Sequence, residues 1–111
     1  MDSKLYEEMQ NLSEQIENLS NQIEKSLKLC EDMLTNIVSF SDYDFEVLKK
    51  VEFFRKMIFL SWLYLDRGKK ANFCKDPHIQ LSASNYYVMA SNLTIEIQDG
   101  IETLSKSILS K

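Results

Sequence analysis

Residues 11–24 consist of Asn11-Leu-Ser-Glu-Gln-Ile-Glu17 followed directly by Asn18-Leu-Ser-Asn-Gln-Ile-Glu24, two heptads that differ only at their fourth position. Leu12, Ile16, Leu19 and Ile23 recur at spacings of four, three and four. That recurrence lines up one side of an α-helix, whereas a strand would need alternation at every second residue. Leu5 and Met9 continue the stripe upstream, and Leu27, Cys30, Leu34 and Ile37 continue it downstream, predicting one helix over about 3–39. From Leu19 to Cys30 the stripe takes eleven residues over three turns, which relaxes left-handed supercoiling.

The rest of the chain is read against that seam. Only two Gly and one Pro interrupt 111 residues, and no stretch alternates like a strand, so the expected class is all-α. The length suits one core, and 1–111 is expected to form a single helical domain. Around Val38–Asp42 the pattern breaks, and Ser41 with Asp44 resembles a capping box opening a second helix over about 42–65. Asp66-Arg67-Gly68 reads as its stop, Gly68 being suited to the left-handed residue past a helix end. A long loop, 66–83, would follow, with Asp76-Pro77 able to cap and start a short helical turn. A third helix over about 84–109 carries Tyr86, Ala90, Leu93, Ile97, Ile101, Leu104 and Ile108 on one face, and Gly100 beside that face suggests a close backbone contact.

Charge favours one way of folding these helices together. Residues 1–24 hold six acids against Lys4, a net of −5, while 49–75 hold eight Lys or Arg against Glu52 and Asp66, a net of +6. Antiparallel pairing of the first two helices lays the acidic start of one beside the basic end of the other. The expectation is an antiparallel three-helix bundle with a long coiled-coil-like first helix.

The second helix ends in Met57-Ile-Phe-Leu-Ser-Trp-Leu-Tyr-Leu65, apolar except for Ser61. Val47, Val51, Phe54, Ile58, Trp62 and Leu65 fall on one face of its wheel, but Phe53-Met57-Leu60-Tyr64 and Phe59-Leu63 add two further rows. A helix in a three-helix bundle turns about half its circumference to its neighbours, so this one has an apolar face too many. Either the loop folds back, with Phe73, Ile79 and Leu81 closing over that face, or another chain covers it.

Several activities find no support. Nine apolar residues fall well short of the roughly 20 that span a bilayer. The polar, acidic start does not resemble a secretory signal, and two cysteines on different elements read as free thiols, so an intracellular setting, cytoplasmic or nuclear, is expected. A net charge of −4 and the absence of a basic helical stripe speak against a nucleic-acid partner. Cys74 and His78 stand four apart, the spacing of a thiol near its base, yet no oxyanion donors or third orienting residue accompany them. As zinc ligands they would need two more, with Cys30 the only other thiol. No catalytic, metal or cofactor-binding residues are therefore predicted, and an enzyme is not expected.

The reading that remains is a protein–protein interaction module, a small helical subunit or adaptor of a homo- or hetero-oligomeric assembly. Its general character resembles the small helical subunits of cytoskeletal, kinetochore or tethering assemblies, although no motif carries particular residues across. The predicted partner-binding residues are Leu12, Ile16, Leu19 and Ile23 on the seam and Phe59, Trp62, Leu63 and Tyr64 on the second helix, with another helical protein or the chain itself as partner. The alternative is a self-contained helical regulator, such as an inhibitor, immunity protein or secretion chaperone, that masks a partner's apolar segment.

Overall fold

The computed structural model describes residues 3–40 and 44–110, the side chain of Met9 excepted. Four helices account for nearly all of them: α1 (Ser3–Phe40), α2 (Phe45–Asn72), α3 (Pro77–Leu81) and α4 (Ala83–Leu109), and no strand occurs among the described residues. At 1.5 Å per residue, the 38 residues of α1 reach about 57 Å, while α2 and α4, with 28 and 27, reach about 40 Å. The molecule is accordingly a rod, 65 × 21 × 16 Å, and α1 outruns its neighbours.

The three long helices each pack against the other two, most extensively α2 against α4. Glu24 of α1 meets Lys69 of α2 and Glu31 meets Trp62, so numbering falls along one helix as it rises along the other. Across α2 and α4 the order is also reversed: Phe54 lies against Gly100, Ser61 against Thr94 and Gly68 against Tyr87. The lower part of the predicted seam, Ile23, Leu27, Cys30, Leu34 and Ile37, is buried with Val47, Val51, Ile58 and Leu65 of α2 and Ala90, Ile97, Ile101 and Leu104 of α4. The expected meeting of acidic and basic segments occurs at Lys69, whose Nζ is 2.9 Å from Glu24 Oε1.

Two sequence expectations need correction. The second helix does not stop at Leu65, and no long loop fills 66–83. Instead α2 runs through Gly68 to Asn72, where the Phe73 N–H closes onto the Lys69 carbonyl at 3.2 Å. Gly68 is buried inside the helix because it faces α4, and a Cβ there would stand 3.1 Å from Tyr87 Cε1. Its missing side chain admits a ring; it is not needed for a left-handed turn. The connector that remains is a short turn followed by α3, where the Asp76 side chain accepts from the His78 N–H at 2.9 Å and Pro77 holds the first helical position.

At the other junction, α1 extends to Phe40, and Asp44 itself caps α2, accepting from the Glu46 N–H at 3.0 Å. Ser41, the other half of the expected capping box, lies outside the described residues. The predicted close contact at Gly100 is present: a Cβ there would come within 2.5 Å of the Phe54 ring.

The nine-residue apolar run is turned in an unexpected direction. Ser61, its only polar member, faces inward with no exposed surface, while Phe59 is 70% exposed. Ser61 lies 3.0 Å from the Ala90 carbonyl and 2.8 Å from the Thr94 hydroxyl. Ser61, Gly68 and Ala71 on α2 face a buried row on α4 that includes Ala83, Ala90 and Thr94. Small side chains on both helices let the two backbones approach closely.

Candidate functional site

The stripe on α1 changes environment along its length without changing its chemistry. From Ile23 onward it is core; Ile16 and Leu19 are half-buried against that core; Leu12 and Leu5 are 58% and 56% exposed. The reason is the length of the partners. Ser13, Glu17, Ser20 and Asn21 line a cleft with Asn72 and Phe73, and Lys69 meets Glu24, which places the end of α2 near Ser20, so the turns of α1 before Ser13 project beyond it.

A second apolar area lies on the outer side of α2. Phe59 and Trp62 line a cleft of about 360 Å³ between α1 and α2, together with Glu31, Leu34, Thr35, Arg55 and Ile58. The Trp62 indole N–H donates to the Glu31 carboxylate at 2.9 Å, which lays the ring against α1 and leaves Phe59 as the projecting member. Leu63, one turn beyond Phe59, is half-buried, and Tyr64, also half-buried, packs against the core.

The eight predicted binding residues therefore do not form one surface. Ile23 belongs to the chain's own core, Leu12 stands in the open, and Ile16 and Leu19 lie between those conditions. Phe59 sits level with Leu34, some 22 residues or roughly 33 Å along α1 from Leu12. There are two separate areas, one on the projecting part of α1 and one midway along α2.

Phe73, Ile79 and Leu81 do not close over the outer face of α2. All three are exposed, Phe73 by 82%, and α3 packs on the far end of α2 and on α4. The extra row that begins at Phe53 also stays open, Phe53 lining a cleft of about 560 Å³ between α2 and α4, and Val88 and Ile95 are exposed on α4. Sequence reading did not single out Ile95, which stands between the face residues Leu93 and Ile97.

Chemistry-bearing side chains are sparse. Cys30 is buried and Cys74 half-buried, and both are free thiols. Burial pushes the Cys30 thiol up, and the nearby Glu31 and Glu102 charges push it further, so it is held protonated. Among the described residues no group of three or more His, Cys, Asp or Glu is placed to hold a metal ion. No helix of the described residues is long and apolar enough to cross a membrane. Comparison of the chain with protein-family profiles, curated proteins and solved structures finds no match.

Proposed function

We propose that this chain is a non-enzymatic interaction module, an antiparallel three-helix unit that serves as a subunit or adaptor of a larger helical assembly. The observation that carries this reading is the α1 stripe, which is core where α2 and α4 flank it and continues, equally apolar, beyond their ends. A helix needed only for this bundle gains nothing by repeating Leu at heptad spacing in water, where each unburied aliphatic side chain forgoes about 1.5 to 3 kcal/mol. The outward Phe59 gives the module a second point of attachment, and the unclosed connector favours a partner over a self-contained globule. Two free thiols suit an intracellular setting.

The test is the native size of the full chain at endogenous levels, measured for the natural sequence and for Leu12→Glu and Phe59→Asp. Expected are a complex well above the 13.0 kDa of the chain and its loss in at least one variant, with helicity unchanged in both. A monomer in every case overturns the proposal.

A further inference from the structure

We infer that the cleft at the end of α2 is a binding site for a small uncharged polyol, with the buried Ser20 hydroxyl at its floor. This goes beyond the interaction reading and stands or falls apart from it.

Three observations carry it. The first is Ser20 itself, which is 3% exposed and whose hydroxyl has no hydrogen-bond partner among the described residues. It lies beside the phenol of Tyr87 on α4 without closing a hydrogen bond to it. A buried helical hydroxyl ordinarily finds a partner, often the carbonyl four residues back, as the Thr94 hydroxyl does at Ala90. Ser20 instead lines a cleft of about 260 Å³ between α1, the end of α2 and α4.

The second is the supply of unspent polar groups around that hydroxyl. Asn21 and Asn72 also line the cleft, and neither side-chain amide is bonded among the described residues. Amides and hydroxyls each offer a donor and an acceptor, the same pairing that a polyol presents from every hydroxyl. An apolar ligand would leave the Ser20 hydroxyl unpaired.

The third is charge. The Lys69 ammonium on one wall is already held by Glu24 at 2.9 Å, and the Glu17 carboxylate stands exposed on another. An anion meets Glu17 and finds Lys69 engaged, while a cation meets Lys69. An uncharged molecule meets neither obstacle, and its hydroxyls accept from the N–H groups that Lys69 retains and donate to Glu17. The cleft is smaller than the roughly 300–1,000 Å³ of sites for drug-sized ligands, which selects a molecule of few carbons. One such molecule with several hydroxyls takes the place of several bound waters.

The experiment is a nuclear magnetic resonance titration of the isotope-labelled full chain with three probes of similar size: glycerol, propionate and propylammonium. Expected is a saturable glycerol-dependent shift of the Asn21 and Asn72 side-chain amides and of the Tyr87 ring, with no saturable shift there from either ion. Ser20→Ala and Asn72→Ala should each weaken glycerol binding by about fivefold, the order of one hydrogen bond, with helicity unchanged. In the absence of any probe, Ser20→Ala should not lower the urea midpoint, since a hydroxyl without a partner contributes no bond.

Glycerol shifts that stay linear or persist in Ser20→Ala, tighter binding of propionate or propylammonium, or a Ser20→Ala variant of lower stability each overturns the assignment. None of these results touches the native size of the chain, which tests the interaction reading by itself.

Discussion

The Ser61 hydroxyl and the Thr94 hydroxyl both lie within hydrogen-bond distance of the Ala90 carbonyl and of each other, three contacts served by two protons. At any moment one hydroxyl donates to the carbonyl and the other donates to its partner, so no donor is left unsatisfied. Ser61→Ala removes one bond but leaves Thr94 donating to Ala90, and should lower unfolding stability by about 1 kcal/mol in urea titration. Ser61→Leu, although more apolar, forces extra volume between α2 and α4 and should cost more, about 1 to 3 kcal/mol or above. If Ser61→Leu is instead the more stable variant, the inward placement of Ser61 is wrong. Gly100 makes a parallel case. Ala there gains about 1 kcal/mol of helix propensity but drives its methyl into the Phe54 ring, so Gly100→Ala should be net destabilising, and Phe54→Leu should remove most of that penalty in a double-mutant cycle. The inward turn of Ser61, unlike the contact at Gly100, was not readable from residue type: a wheel that assigns polar residues outward misplaces a serine whose bonds are made inside. The pattern that would have found it is positional, since Ile58, Ser61, Leu65, Gly68 and Ala71 keep the core spacing.

Cys30 and Tyr87 link burial to pH. Burial raises both groups above their ordinary values of 9.0 and 10.0, so the folded state favours their neutral forms. Their contribution to stability is whole below those ordinary values and is lost as pH rises past them, because the unfolded chain ionises first. Urea midpoints should therefore fall above about pH 9, and Cys30→Ala should flatten the first part of that fall. A thiol reagent should modify Cys74 readily and Cys30 only at the rate of unfolding. Rapid modification of both would contradict the packing of Cys30 in the α1 stripe.

Among the elements, α1 contains two segments with different duties. Removing residues 1–12 should leave the melting temperature within a few degrees, because the described apolar side chains lost, Leu5, Tyr6 and Leu12, are exposed. Extending the deletion through Leu27 removes Ile23 and Leu27 from the core, at about 2 to 5 kcal/mol each against a total stability of about 5 to 15 kcal/mol, and should unfold the chain. Circular dichroism on both truncations separates the two duties. The start and course of α1 were legible because a strict heptad allows little else. The end of α2 was not, because a glycine followed by Lys-Lys-Ala is consistent with either a stop or a close crossing. Tertiary packing decides between them: the Tyr87 ring occupies the space a Cβ would need. Asp76-Pro77 was legible for the opposite reason, since its capping is local and needs no partner.

For the whole molecule, the helical class and the buried half of the seam followed from periodicity, and the contact at Gly100 followed from its position beside a helix face. What periodicity could not supply was how far each helix reaches. The projecting turns of α1 arise from a difference in length, about 57 Å against about 40 Å, so the exposure of Leu5 and Leu12 becomes visible only once the helices are set side by side. The separation of Phe59 from Leu12 is of the same kind, since a sequence pattern shows that each is apolar but not that they lie roughly 33 Å apart along a rod. The decisive measurement is the native mass of the natural chain and of a Leu12→Glu, Phe59→Asp double variant at endogenous levels. An assembly component should appear in a particle several times 13.0 kDa and fall to a folded 13.0 kDa species in the variant. A natural chain that already runs as a folded monomer would contradict it.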